Sequence, residues 1–259
     1  MRIDLYLTAK GHAPSRQQAK RLIEEGAVTI DGRLIKKPSE TVTDDAEHDV
    51  CVQDSLQYVG RGGLKLEGAL DAFGLDVAGK SALDIGASTG GFTDCLLQRG
   101  ALRVCAVDSG EGQLAKKIRS DSRVTSMENC NARYLTSEAV GETVDLIVMD
   151  VSFISATLII PRFPQLLGDV GDAICLIKPQ FEVGRSMIGK GGIVRDKAAH
   201  RRAIEAVLES GKGVGLLPVG LIPSPIYGGD GNREFLVWFT KGRTDKKEVT
   251  GEDIRRVAQ

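Results

Sequence analysis

The sequence predicts a doubly wound α/β domain with a mostly parallel seven-stranded sheet and an antiparallel last strand, preceded by a small α+β domain. Three observations carry that expectation. Seven β-prone runs follow residue 80, "SALDIG", "RVCAVD", "RVTSM", "VDLIVMD", "AICLIK", "GLLPVGLIP" and "EFLVWFT", with helical segments between the first six. That alternation builds parallel sheets. The last two runs are joined by "SPIYGGDGNR", too short for a helical crossover, so they form an antiparallel hairpin. A glycine turn, "IGASTGG", comes directly after the first run, where folds of this kind let a ligand approach the backbone.

The small leading domain is read from its caps and turns. In "SRQQAKRLIEEG", Ser15 is an N-cap candidate and Gly26 a C′ glycine, with Ala19, Leu22 and Ile23 on the inner face. In "AVTIDGRLI", two short β-prone runs flank Asp31–Gly32, a strong two-residue hairpin signal. Met1 to Lys37 holds eight basic and four acidic residues, whereas Pro38 to Gln57 holds six acidic and no Lys or Arg. That reversal places a domain at 1–57, a linker at 58–63, the large domain at 64–242 and a polar tail, mobile or a short surface helix, at 243–259. Two helices and a hairpin with a basic helix face resemble the ribosomal-protein-S4-like RNA-binding domain over roughly residues 2 to 50. Arg16, Lys20, Arg21, Arg33, Lys36 and Lys37 are its candidate phosphate contacts. With few aromatics among them, such a surface follows RNA shape rather than reading bases. A merely solvated helix face is the alternative.

Bulk properties narrow the classes. The chain has 259 residues and a net charge of −1, so nucleic-acid binding needs a local basic patch. Its five cysteines show no C-x-x-C spacing, which argues against a disulfide framework or a zinc site and for buried small hydrophobes. No apolar run approaches the length of a membrane span. The start, "MRIDLYLTAKG", lacks a secretory apolar core. A cytoplasmic monomer without a metal is expected. Between the domains, "RGGLKLEGAL" reads as a helix with Leu66, Ala69, Leu70 and Phe73 on one stripe. Gly62 and Gly63 serve as a flexible entry, with Arg61 completing a hinge and counted among the candidate RNA contacts.

In "LDIGASTGGFTDCLL", Asp84 stands two positions before Gly86. There it would repel the pyrophosphate of a dinucleotide and attract a ligand bearing an amino group and a sulfonium. This favours S-adenosylmethionine, with Asp84, Gly86, Ser88, Gly90, Gly91 and Phe92 as its cradle. Asp108, closing the second run, would accept from ribose hydroxyls, and Asn131, after the third, would meet the adenine edge. The segment "GRSMIGKG" imitates a phosphate loop, but Gly191 stands where Ser or Thr would hold magnesium. A mobile basic loop, with Arg185 and Lys190 touching RNA, suits it better.

Asp150 and Lys178 end apolar runs, so both emerge at the carboxyl edge of the sheet beside Asp84 and Asp108. Glu234 opens the antiparallel last run and starts at that same edge. Lys65, Asp150, Lys178 and Glu234 match, in order and context, the Lys-Asp-Lys-Glu tetrad of the FtsJ-like RNA 2′-O-methyltransferases, which have a Rossmann-like fold. With "RGGLKL", "LDIGASTGGFTD", "DVSFIS", "LIKPQFEVGR" and "GNREFL", residues 2 to 240 resemble the TlyA, or hemolysin A, family. The resemblance implies methylation of a cytidine 2′-hydroxyl in ribosomal RNA, of the large subunit and in some members also the small. Asn131 departs from the aspartate of more distant relatives, and the short N-terminus is similar to the branch that modifies the large subunit only.

Residue chemistry is consistent with that implication. A ribose hydroxyl must lose its proton as it attacks, and a lysine serves as base only when its charge is disfavoured by burial or a neighbouring cation. Lys178 is assigned as base and Lys65 as the residue that positions the hydroxyl. Asp150 orients the base near the methyl donor, and Glu234 holds Lys65 or Lys178. A membrane-active hemolysin, a non-catalytic RNA-binding factor and an NAD-dependent oxidoreductase are the competing readings.

Overall fold

A computed structural model describes residues 1–24, 26–43, 47–52 and 57–259, the side chains of Arg21 and Glu24 apart. The chain divides into two compact units, Met1–Arg61 and Gly62–Gln259.

The first unit begins with helices α1 (Ile3–Ala9) and α2 (Arg16–Glu24). Ser15 caps α2 by accepting from Gln18 N at 3.1 Å. The hairpin of β1 (Val28–Ile30) and β2 (Arg33–Leu34) turns at Asp31 and Gly32. Both have positive φ, 52° and 72°, as a two-residue turn of the hairpin type requires. A third strand, β3 (Val50–Val52), pairs antiparallel with β1 and gives the order β2-β1-β3. It lies in the acidic stretch from Pro38 to Gln57, for which no strand is expected. Three residues carry too little periodicity to be read as a strand, and it forms because β1 has an edge left to pair. Ile3, Leu7, Ala19, Ile23, Val28, Ile30 and Ile35 close the core.

The second unit opens with α3 (Gly62–Phe73). Its stripe is placed as expected: Leu66, Ala69 and Leu70 are buried, and the Phe73 ring lies 5.8 Å from that of Trp238. Gly62 and Gly63 are not a flexible entry but the first two residues of this helix. A Cβ on Gly62 would stand 3.3 Å from the Phe92 ring and 3.7 Å from Asp150 Oδ2, so glycine there permits close packing.

Next come β4 (Ser81–Ile85), α4 (Gly91–Gln98), β5 (Arg103–Val107), α5 (Lys116–Arg119), β6 (Val124–Met127), α6 (Ser137–Val140) and β7 (Val144–Met149). They are followed by α7 (Phe163–Leu166), β8 (Leu167–Ile177), α8 (Pro179–Glu182), α9 (Lys197–Lys212), β9 (Leu217–Pro223) and β10 (Phe235–Lys241). The sheet order is β6-β5-β4-β7-β8-β10-β9. Pairings from β6 to β8 are parallel, and β10 runs antiparallel to both its neighbours. All seven expected strands are present, and the last in sequence is inserted next to β8 rather than placed at the edge. Chain direction reverses its winding between β4 and β7, and ligands of such sheets bind at that switch point.

Of the two forms expected for residues 243–259, a mobile segment or a short surface helix, the helix is present, and one of its faces is packed into the core. It is α10 (Gly251–Val257), started by a reciprocal cap between Thr250 and Asp253. Ile254, Val257 and Ala258 join the main core, and Arg233 donates to the carbonyls of Val257 and Gln259. The apolar positions are few and scattered among charges, which hid the buried face in the sequence.

Candidate active site

The carboxyl ends of β4, β5 and β7 surround a cavity of about 570 Å³, lined by Gly86, Ser88, Asp108, Asn131, Asp150 and Ser152 among others, a size suited to a cofactor. Gly86 holds φ at 84°, and a Cβ there would meet the Asp150 carbonyl oxygen at 2.6 Å. Only glycine lets the β4 turn pass so close to the end of β7. Asp108 accepts from Ser88 N at 2.8 Å and from Gly110 N at 2.7 Å. Two backbone amides thus fix its carboxylate, and each oxygen keeps a lone pair for a further donor. Asn131 Oδ1 accepts from Arg133 N at 3.1 Å, which turns its amide group at the cavity wall.

Asp84 is placed differently from these. It is wholly buried and accepts from Thr93 Oγ1 at 2.6 Å. It does not line the cavity but sits one layer behind the glycine turn. Burial, reinforced by the charges of Asp150 and Asp108 and opposed by the bond from Thr93, pushes its carboxyl up to about 7. Its Oδ1 has no hydrogen-bond partner among the described residues. Gly90, Gly91 and Phe92 likewise shape the turn and the start of α4 without lining the cavity. An orphaned buried carboxylate oxygen with two more carboxylates near it suits a cationic ligand and disfavours a pyrophosphate.

At the same edge, the four charged residues form two ion pairs. Lys65 Nζ donates to Glu234 Oε2 at 2.5 Å, while Lys178 Nζ lies 2.6 Å from Asp150 Oδ1 and donates to Ser152 Oγ at 2.8 Å. Lys65, Lys178 and Glu234 are 7%, 9% and 3% exposed. The Glu234 carboxyl is raised by burial, which outweighs the opposing pull of Lys65 and of Lys178, and Asp150 raises it further. All four groups are therefore within electrostatic reach. β10 brings Glu234 here because Phe235 pairs with Ile177, the residue before Lys178.

Sequence reasoning missed several neighbours. Phe153 lies at the cavity mouth, 92% exposed, with φ at 64° and its ring 5.3 Å from that of Phe181. Ser152 bonds Lys178, and Asn232, buried two residues before Glu234, bonds Val194 N and the Gly192 carbonyl. The signal for Ser152 and Phe153 was the motif "DVSFIS", and for Asn232 the motif "GNREFL", which carry the family resemblance but assign these residues no role. Residues 185–187 and 190–192 form 3-10 turns, so "IGKG" is not followed by the helix that a phosphate loop needs. Arg185 and Lys190 are exposed there.

In the first unit, Lys20, Lys36 and Lys37 are exposed. Arg33 is exposed but donates to Glu40 at 2.9 Å. Arg16 Nε is engaged with Asp4, which also binds Arg2, and the two guanidinium groups hold that buried carboxyl well below the usual range. Arg61 is half-buried, and the Arg21 side chain lies outside the described residues.

A glycine turn at the switch point, acidic groups around its cavity and paired lysines and carboxylates at the rim define a Rossmann-like methyltransferase. The chain belongs to the FtsJ-like methyltransferase family, whose model matches residues 58–241, and the S4 domain matches residues 1–48. It is similar to the 16S/23S rRNA (cytidine-2′-O)-methyltransferase TlyA of Mycobacterium tuberculosis, with 45% identity over 95% of this chain and 91% of that protein. The 23S rRNA (cytidine-2′-O)-methyltransferase TlyA of Campylobacter jejuni is 32% identical over 93% of this chain and its own whole length. Among solved structures, a Streptococcus thermophilus protein provisionally described as a hemolysin matches with a TM-score of 0.77 and 42% identity, covering 100% of this chain and 94% of that one. Among the described residues, no helix is long and apolar enough to cross a membrane.

Proposed function

We propose that this protein transfers a methyl group from S-adenosylmethionine to the 2′-hydroxyl of a cytidine in ribosomal RNA, the large subunit being the favoured target, in the cytoplasm. The observation that carries this reading is the pair of buried lysine–carboxylate contacts at the rim of the cavity, Lys65 with Glu234 and Lys178 with Asp150. A binding-only protein has no use for two lysines held out of water at such a rim.

When bound, S-adenosylmethionine supplies a methyl group already activated on a sulfonium. The Gly86–Ser88 turn would receive it, Asp108 its ribose hydroxyls, Asn131 its adenine edge and Asp84 the charge of its amino group. This chain's own residues must then place and deprotonate the ribose hydroxyl. Lys178, in its neutral form, takes the proton as the oxygen attacks, and Asp150 aims its amine. Lys65, fixed by Glu234, places a second positive charge beside the base and donates to the hydroxyl oxygen. Phe153 presents an open ring face at the mouth, where an unstacked base can lie. The basic surface of the S4-like unit, with Lys20, Lys36 and Lys37, supplies phosphate contacts, and Arg185 and Lys190 add others.

The test is transfer of labelled methyl to isolated large subunits, isolated small subunits and joined ribosomes, with the modified nucleotide mapped. Methylation of a cytidine 2′-oxygen, lost in Lys178→Ala while the cofactor still binds, is expected. No transfer to any ribosomal substrate, under conditions where cofactor binding is measured, overturns the reading.

A further inference from the structure

Lys178 Nζ has three substituent directions besides its own carbon. Ser152 Oγ accepts along one of them at 2.8 Å, whereas Asp150 Oδ1, 2.6 Å away, pairs with the ammonium as an ion and lacks hydrogen-bond geometry. We propose that Ser152 is a positioning residue for the base, accepting the hydrogen bond that fixes the rotation of the Lys178 amine and so aims it at the ribose hydroxyl. This rests on the methyl-transfer reading above.

The contact is built into the fold. Ser152 and Asp150 lie on the loop that leaves β7, and both line the cavity. Lys178 directly precedes α8, whose last residue, Glu182, returns to that same loop. It accepts from Ser155 Oγ at 2.5 Å and from Ala156 N at 2.8 Å. The two segments are thus clasped at both ends, by Lys178 on Asp150 and Ser152 and by Glu182 on Ser155 and Ala156. Between the clasps, Phe153 adopts a left-handed φ of 64°, a conformation that persists in a large residue only when its surroundings determine it. The loop therefore presents Ser152 by construction.

The chemistry explains why a second anchor matters. In the transfer, the ribose O–H bond breaks and its proton goes to the lone pair of neutral Lys178. The oxygen forms its bond to the methyl carbon, and the S–CH₃ electron pair stays on sulfur as a thioether. A neutral amine has two N–H bonds and one lone pair. With Asp150 attracting the amine by charge alone, rotation about the Cε–Nζ bond lets the lone pair sweep a cone. With one N–H held by Ser152, that rotation is stopped and the lone pair is confined. The charged groups around the amine are Asp150 on the same loop as Ser152, and Glu234 at the start of β10 with its partner Lys65 from α3. None of these replaces a neutral acceptor at the position of Ser152.

Ser152→Ala and Ser152→Thr, made in the full chain, separate this from a packing role, because Ser152 is exposed and the extra methyl of Thr has room. In Ser152→Ala, kcat for methyl transfer is expected to fall about 10- to 100-fold, the scale of a misplaced reacting group. The KM for RNA and the calorimetric Kd for S-adenosylmethionine should stay within about twofold of wild type, and Ser152→Thr should recover most of the rate. A second readout needs no turnover. In ¹⁵N-lysine NMR, the Lys178 ammonium signal, assigned by its absence in Lys178→Gln, should exchange with water faster in Ser152→Ala than in wild type. Unchanged kcat and unchanged exchange in Ser152→Ala overturn the proposal, as does a rate loss that Thr does not restore. If wild-type protein methylates no ribosomal RNA, the functional reading falls, while the exchange comparison still decides whether Ser152 holds the amine.

Discussion

Replacing Glu234 by Gln keeps the volume of the side chain and removes its charge, leaving Lys65 as a buried cation without a counter-ion. The pair is separated by 2.5 Å, and both partners are almost fully removed from water. Its attraction at an effective dielectric of 20 is about 6 to 7 kcal/mol, offset by several kcal/mol of desolvation for each ion. Burial already outweighs Lys65 in raising the Glu234 carboxyl, so the intact pair adds little net stability. Breaking it is a different matter: one charge then bears its desolvation alone, at a cost of about 3 to 5 kcal/mol. The Gln oxygen still accepts from Lys65, so about 3 kcal/mol is expected. The single tryptophan, Trp238, lies in β10, and its fluorescence reports unfolding of the large unit alone. With a urea dependence of about 2 to 3 kcal/mol per molar, the midpoint should fall by roughly 1 to 1.5 M. The double variant Lys65→Met/Glu234→Met should return close to wild-type stability and remain inactive in methyl transfer. A loss under about 1 kcal/mol in Glu234→Gln, or a double variant no more stable than the single one, would refute the reasoning.

Asp84 gives a pH signature. Its carboxyl is raised to about 7 in the folded chain, so between about pH 4 and 7 the unfolded state has released a proton that the folded state retains. Stability from this group is fully present below pH 4 and is lost as the pH rises through 7, by roughly 2 to 3 kcal/mol between pH 5 and 8; urea unfolding at the two pH values should show this loss reduced by that amount in Asp84→Asn. Gly86→Ala combines a positive φ with a Cβ 2.6 Å from a backbone oxygen, and should cost at least about 2 kcal/mol of stability together with cofactor affinity by calorimetry. A fully stable, cofactor-binding Ala variant contradicts the close approach of β4 and β7. Lys36→Ala/Lys37→Ala should weaken ribosomal RNA binding and flatten the plot of log affinity against log salt by roughly 1 to 2, measured by filter binding. An unchanged slope removes these lysines from the phosphate contacts.

Strands β4, β5, β7 and β8 were legible because they are buried on both faces, which forces apolar runs, and the charges that end those runs mark one edge. The hairpin at Asp31–Gly32 was equally plain, since its turn requires residues that tolerate positive φ. What the sequence hid depends on partners distant in the chain. Arg16 reads as a free basic residue until Asp4, twelve positions earlier, is found buried beneath it. Gly62 and Gly63 suggest flexibility, yet their meaning comes from the Phe92 ring 3.3 Å away. Asp84 was chosen for its charge, and it proves to be a buried carboxyl behind the turn, able to act on a ligand through space rather than by forming the wall. Ser152 matters because a loop bends back on Lys178, and no periodicity announces such a bend.

The insertion of β10 between β8 and β9 has a consequence for the birth of the enzyme. Synthesis delivers Lys65, Asp84, Asp150 and Lys178 first, and at about 5–20 residues per second the chain takes several more seconds to reach Glu234. Until then β8 has an open edge and Lys65 lacks its carboxylate. Strand β9 emerges before β10 but has no neighbour to pair with until β10 arrives between them. A nascent or truncated chain ending before residue 235 would therefore carry an exposed β8 edge prone to pairing with another chain. Such a fragment carries the residues that line the cavity but lacks the carboxylate that pairs with Lys65, so the rim of the site is completed only by the last strand to be made.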